Sequence, residues 1–301
     1  MKIVGLLLCA LLFSVGTSCQ SGPIRQYPDS RMPQTGDLQE VYDLNNPAEK
    51  FYLPYVLEEV SGLSYSASEA LLMVDDEKGK IFEFDLAKKE IVKTTTFHRS
   101  GDFEGVELVG KNMYVLRSDG NIYKVKNPQQ KNDETKKYES RLGSANDTEG
   151  LGYDPITNKL LIACKAKGEI GKKEVHGKAI YGFDLETEEL DKEPMLVISE
   201  KDINSFWSKQ SSGDYKKKNI NFRPSAIAFH PIQKLFYVLS SSGKLLVVVD
   251  REGRILATYP ISAKRLHQPE GICFSPTGEM YISSEGDGGR GYVLKYDMKR
   301  E

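Results

Sequence analysis

Glu149-Gly150-Leu151-Gly152-Tyr153 carries the pattern that decides the fold: a small or acidic residue, Gly, an aliphatic, one variable residue, then an apolar one. Four further stretches share it: Ser61-Gly62-Leu63-Ser64-Tyr65, Glu104-Gly105-Val106-Glu107-Leu108, Ser225-Ala226-Ile227-Ala228-Phe229 and Glu270-Gly271-Ile272-Cys273-Phe274. Their second residues are separated by 43, 45, 76 and 45 residues. Three of the four intervals match the period of a propeller blade.

The same series follows each stretch. A turn comes first, with Pro in Asp154-Pro155, His230-Pro231 and Ser275-Pro276. An apolar strand follows, such as Leu71 to Val74 or Leu235 to Leu239, and then a strand that ends in Asp in four units. A fourth strand, such as Ile91 to Phe97, closes each of the first four units. Four antiparallel strands are the content of one blade. The 76-residue interval contains no second copy of the signature, so it reads as one enlarged blade with an extended hairpin at 168–177 and a helical or irregular insertion at 200–221. The last unit stops at Asp297 after three strands, and Phe51 to Leu57 precede the first signature as a fourth strand precedes the others. The expected fold is therefore all-β: a five-bladed β-propeller whose N-terminal strand closes the last blade, with six blades as the alternative. Closure hides the sheet edges, so a monomer is expected.

Residues 1–19 read as an export signal, with Lys2 ahead of an apolar core from Ile3 to Phe13 and small residues before Cys19. Gly16-Thr17-Ser18-Cys19 resembles a lipobox, in which Cys19 is acylated and holds the protein to a membrane. Ordinary signal cleavage is the alternative. Both readings make the protein an exported one, and the lipidated reading anchors it in the cell envelope, at the outer membrane or the periplasmic face. Residues 20–48 read as a flexible tether and 49–301 as the propeller. A net charge of −2 argues against nucleic-acid binding. Cys164 and Cys273 sit in apolar runs and are expected as buried free thiols.

Val60-Ser61-Gly62-Leu63-Ser64-Tyr65, the paired Glu-Gly signatures, Arg223-Pro224-Ser225-Ala226-Ile227-Ala228 and Gln268-Pro269-Glu270-Gly271-Ile272 resemble the SdiA-regulated protein family over about residues 50–298. The resemblance implies a five-bladed propeller, distantly similar to NHL repeats, with a calcium site and no established activity.

Glu104, Glu149 and Glu270 hold equivalent places in three blades, with Ser61 and Ser225 in the other two. Equivalent places on radially arranged strands converge on one rim of the channel. Carboxylates about 6 Å apart at an effective dielectric near 20 repel by roughly 3 kcal/mol per pair. A proton, a basic side chain or a cation must offset this, and Ca²⁺ suits several oxygen ligands at once. Hydrogen bonding of these acids within the blade ends is the structural alternative. A second ring follows the second strands: Asp75, Asp76, Arg117, Lys165, Ser240 and Glu285, joined by Arg223 as candidate channel ligands. Arg117 and Lys165 depart from the acidic pattern of the family; they replace a metal by pairing with the glutamates, bind an anion, or stand as solvated residues along a water-filled channel. No nucleophile–base series is evident, and His98, His176, His230 and His267 lack metal-ligand spacing. Three functions stay open. They are a binding module for a small ligand or an envelope protein, a calcium-dependent hydrolase of the lactonase or phosphoesterase kind using these carboxylates, and a scaffold of an envelope complex docking through residues 200–221.

Overall fold

Each signature stretch becomes the first strand of an antiparallel sheet. The structure, a computed structural model, describes residues 41–126, 134–210, 220–286 and 288–299. The first strand in the chain, β1 (Glu49–Tyr52), belongs to the last sheet. Blade one is β2 (Val60–Ser66), β3 (Ala70–Asp75), β4 (Lys78–Asp85) and β5 (Glu90–Ser100). Blade two is β6 (Phe103–Val109), β7 (Asn112–Arg117), β8 (Ile122–Lys126) and β9 (Glu134–Tyr138). Blade three is β10 (Thr148–Asp154), β11 (Lys159–Cys164) and β12 (Lys178–Asp184), with an outer edge split into β13 (Glu189–Leu190) and β14 (Leu196–Ile198). Pro194 lies in the break between those two pieces, where a residue without an N–H cannot continue the ladder. An α-helix, α1 (Glu200–Gln210), leads to blade four: β15 (Ala226–Phe229), β16 (Phe236–Ser240), β17 (Leu245–Val249) and β18 (Ile255–Pro260). Blade five is β19 (Gln268–Phe274), β20 (Met280–Glu285) and β21 (Tyr292–Tyr296), completed by β1. Five sheets settle the count against six, because the long interval holds one blade with a divided edge and a helix.

The ring closes through its first strands. β2 touches β6, β6 touches β10, β10 touches β15, β15 touches β19, and β19 returns to β2. The signature glycines allow this approach. A Cβ on Gly62 would lie 2.5 Å from the Val106 backbone nitrogen, and one on Gly105 would lie 2.4 Å from Leu151 Cβ. Gly105→Ala is therefore expected to lower stability by about 2 kcal/mol through overpacking. Urea unfolding checks this: an unchanged midpoint would mean that the inner strands do not meet this closely.

The closing strand is shorter than the 51–57 stretch read from the sequence. β1 pairs with β21 from Glu49↔Lys295 to Tyr52↔Tyr292. The chain then turns at Pro54 into a 3-10 helix, Tyr55–Leu57. Phe51, Leu53 and Leu57 are buried all the same. The domain also starts earlier than residue 49. Tyr42 is buried, and its hydroxyl donates to the Gly278 carbonyl at 2.5 Å while His230 Nε2 lies 2.7 Å away. His230 Nδ1 accepts the Ile232 and Gln233 N–H groups, which makes this histidine a structural piece of the turn. Cys164 and Cys273 are free and buried. Cys19 and the remainder of the expected signal and tether lie outside the described residues, apart from residues 41–48.

Asp154, fully buried at the end of β10, binds Arg251 of the next blade through both guanidinium nitrogens, at 3.1 and 2.7 Å. In α1, Ile203 and Trp207 pack onto the core between blades three and four. Ile220 and Phe222, at the far side of the insertion, join the same core.

Candidate functional site

The glutamates of the signature are set apart from their strands by irregular pairing. The register slips between Phe103 and Gly105, between Thr148 and Gly150, and between Pro269 and Gly271. Glu104, Glu149 and Glu270 are the extra residues. In blade one the slip falls between Val60 and Leu63 and takes in Ser61 and Gly62. A bulge leaves its residue outside the ladder and re-aims the side chain. The same registers set the starts of the first strands opposite the ends of the second: Val60↔Asp75, Phe103↔Arg117, Thr148↔Cys164 and Gln268↔Glu285. The two rings read from the sequence therefore share one end of the channel.

The acids there act on one another. Burial pushes Glu104 up to about 10, with Glu149 and Asp102 adding to it. Burial also pushes Glu149 up to about 8; Glu270 adds to this, and Lys165 opposes it. Glu270 is raised by burial, against the pull of Ser241, Lys165 and Lys244. Glu285 rises to about 7 through burial and the charges of Glu270, Asp76 and Glu59. Asp76 rises to about 6 through burial and the charges of Glu59 and Asp75.

The two cations behave differently. The Lys165 ammonium forms an ion pair with Glu149 Oε1 and is raised by it, while Glu149 Oε2 stays buried with no hydrogen-bond partner. Arg117 turns away from the glutamates and pairs with Asp119 through Nε, at 2.9 Å, and Nη2. Asp75 is held by Lys78 at 2.7 Å, yet its Oδ2 and Asp76 Oδ1 are buried without partners. Glu285 accepts from the Gln268 side chain. Ser240 is fully buried and its hydroxyl accepts the Arg223 and Gly243 N–H groups, which fixes the chain entering blade four. Arg223 Nη2 stands 3.9 Å from Asp147 Oδ2, and its Nε has no partner.

Sequence reasoning missed part of this rim. Glu59, Asp102 and Asp147 perturb the acids named above, and Lys244 faces Glu270 and Glu285. A signal was present. The place two residues before each signature holds Glu59, Asp102, Asp147, Arg223 and Gln268, a third polar ring in register with the first.

The donor chemistry suits a hard cation: clustered carboxylates, three of them (Asp75, Asp76 and Glu149) with an orphaned oxygen, and no thiolate or imidazole among the acids and bases named. The side chains do not form a ready cage, however. Among the described residues no group of three or more His, Cys, Asp or Glu is placed to hold a metal ion. Protons and the Lys165 ammonium balance the acids in this arrangement.

A family model described as SdiA-regulated matches residues 48–288. The chain belongs to the SdiA-regulated family. No curated protein matches it. Among solved structures, this SdiA-regulated chain is similar to a glutaminyl cyclase from Myxococcus xanthus, at 13% identity and a TM-score of 0.55, covering 85% of this chain and 97% of that one. It is also similar to a PQQ-bound aldose sugar dehydrogenase from Streptomyces coelicolor, at 10% identity and a TM-score of 0.51, covering 84% of this chain and 98% of that one. At such identities the likeness concerns the propeller alone.

Proposed function

We propose that this SdiA-regulated propeller is a binding module, lipid-tethered through Cys19 in the cell envelope, whose acidic channel mouth takes a cation. The carrying observation is the coupled rim. Glu104, Glu149, Glu270, Glu285 and Asp76 are all raised toward or beyond neutrality, which marks a place where added positive charge is stabilised. Ca²⁺ is the expected metal, because it accepts several carboxylate oxygens in a flexible geometry. Glu104, Glu149 and Glu270 would hold it, in competition with the Lys165 ammonium.

Calorimetric titration of CaCl₂ into residues 20–301 tests this. Saturable binding is expected at pH 8, weakening at least tenfold at pH 6 as Glu149 takes up its proton, whereas Glu104 is protonated at both and must release its proton to the metal. It should vanish when Glu104, Glu149 and Glu270 are changed together to Gln. No heat in the parent at pH 8 would leave Lys165 as the resident counter-charge and remove the metal from the proposal.

A further inference from the structure

The opposite end of the channel is built differently. The five first strands run on from the glutamate rim and end in a cavity of about 380 Å³. Every blade contributes to its wall: Tyr65 from the first, Leu108 from the second, Tyr153 from the third, Phe229 from the fourth and Phe274 from the fifth. Glu107 is the one carboxylate among these lining side chains. It is three residues beyond Glu104 on β6, or roughly 10 Å along an extended strand, so this is a second site and not an extension of the rim.

Glu107 is bonded one-sidedly. Ser64 Oγ donates to its Oε1 at 2.7 Å, and the Leu108 N–H donates to the same oxygen at 3.1 Å. Both contacts fall on Oε1, and the carboxyl group stays partly exposed at the cavity wall. No Lys, Arg or His lines the cavity among those residues. The other titratable groups on its wall are Tyr65, Tyr153 and Cys273, and the Cys273 thiol is pushed well up by burial and stays neutral. The Lys234 ammonium lies outside the lining. It bonds the Pro231 carbonyl and sits 5.7 Å from the Phe229 ring centre, so a face of that ring already takes a cation.

We infer that this cavity binds a small organic ammonium ion, its apolar body against the aromatic wall and its charged nitrogen on Glu107 Oε2. Three alternatives fit less well. A metal ion would find a single carboxylate, already bonded to Ser64, with the Tyr153 and Ser275 hydroxyls bonded elsewhere, where a hard cation wants six or more oxygens. An anion would meet Glu107 with no compensating base. A neutral apolar molecule would leave the carboxylate desolvated and unpaired. An ammonium ion supplies the missing donor and is attracted by the ring faces. The volume lies within the range of small-molecule sites and suits a body of about ten heavy atoms.

The proton balance gives the test its handle. Burial raises Glu107 to about 7, against the two hydrogen bonds that favour its charged form. An ammonium ion binds the carboxylate and not the acid, so affinity should rise about tenfold from pH 6 to pH 8.

The probe is 2-phenylethylammonium chloride, titrated calorimetrically, with neutral 2-phenylethanol as its comparison. Expected are saturable binding of the ammonium ion at pH 8, weaker binding at pH 6, and at least a tenfold loss in Glu107→Gln. Ala67→Trp, which fills the cavity from an exposed turn and leaves the core untouched, should abolish binding even if the Gln variant folds poorly. Changing the three rim glutamates to Gln should leave binding intact. The inference is overturned if the parent shows no saturable binding, if the alcohol binds as tightly as the ammonium ion, or if folded Glu107→Gln binds like the parent.

Discussion

Thermal unfolding is expected at its highest temperature near pH 5, falling steadily toward pH 9. Five carboxyls are held well above their ordinary range: Asp76 at about 6, Glu285 and Glu107 at about 7, Glu149 at about 8 and Glu104 at about 10. The folded chain keeps protons that the unfolded chain has released by pH 5. Their contribution is fully present below the unfolded values near 4 and is lost as pH rises through each folded value. One unit of displacement corresponds to about 1.4 kcal/mol. After discounting the partly exposed Asp76 and Glu285 for screening, the better-buried Glu149 and Glu104 still imply a loss of about 3 kcal/mol or more between pH 5 and pH 9. Below pH 4 the sign reverses, because Asp154 is held low by Arg251 and must be protonated there. The measurement is a series of calorimetric melts from pH 4 to pH 9 in calcium-free buffer. Changing Glu104, Glu149 and Glu270 to Gln should flatten the curve. A flat profile in the parent would show that the rim is better hydrated than its burial implies. Added CaCl₂ should raise the parent's midpoint most at pH 9, the top of the series, where protons compete least with the metal.

The propeller was legible because its physics repeats. Glycine at the axis, alternation along each strand and Asp at strand ends recur at one spacing, so chance agreement in one blade is checked by the others. The aspartates show why: Asp85, Asp184 and Asp250 each accept two backbone N–H groups from the turn that follows. The site was less legible. Glu104, Glu149 and Glu270 could be aligned by position, but alignment carries no information on bulges, and the bulges set their direction. Lys165 and Arg117 looked equivalent in the alignment. A short-range partner, Asp119, captures Arg117, while Lys165 has Glu149 across the ladder. Ser240 reads as a channel ligand in the sequence; in the fold its hydroxyl accepts two backbone N–H groups, partners that no alignment of the repeats reveals. Glu107 was hidden by its place in the signature. It occupies the variable position, which gives no periodic signal, and only the closed ring brings four other blades around it.

Replacing Phe51 and Leu53 together by Ala is expected to cost about 5 kcal/mol or more, a large share of the 5–15 kcal/mol that holds a typical domain. These residues carry the closure. Phe51 is 3% exposed and Leu53 is fully buried, both in the core that joins blade five to blade one. Phe51 packs edge-on against Phe84 at 6.3 Å between ring centres. Leu53 N–H bonds the Gly291 carbonyl at 2.8 Å, and Arg290 Nε reaches the Leu53 carbonyl at 2.7 Å, so the backbone also latches the two ends of the chain. Truncating both side chains opens a cavity beside the β1–β21 pairing, the non-covalent closure within blade five. The two residues share neighbours, so their effects need not add. Tyr52 and Tyr55 lie beside them at 55% and 70% exposure; changing each to Ala should move stability by no more than about 0.5 kcal/mol. Urea unfolding of the three variants separates the cases. If the double variant shifts no more than the exposed tyrosines do, blade five is stable with three strands and the ring does not depend on its clasp. If it unfolds first in blade five, with β21 freed as an edge, the variant should also self-associate with rising concentration, since an unpaired strand invites a second chain.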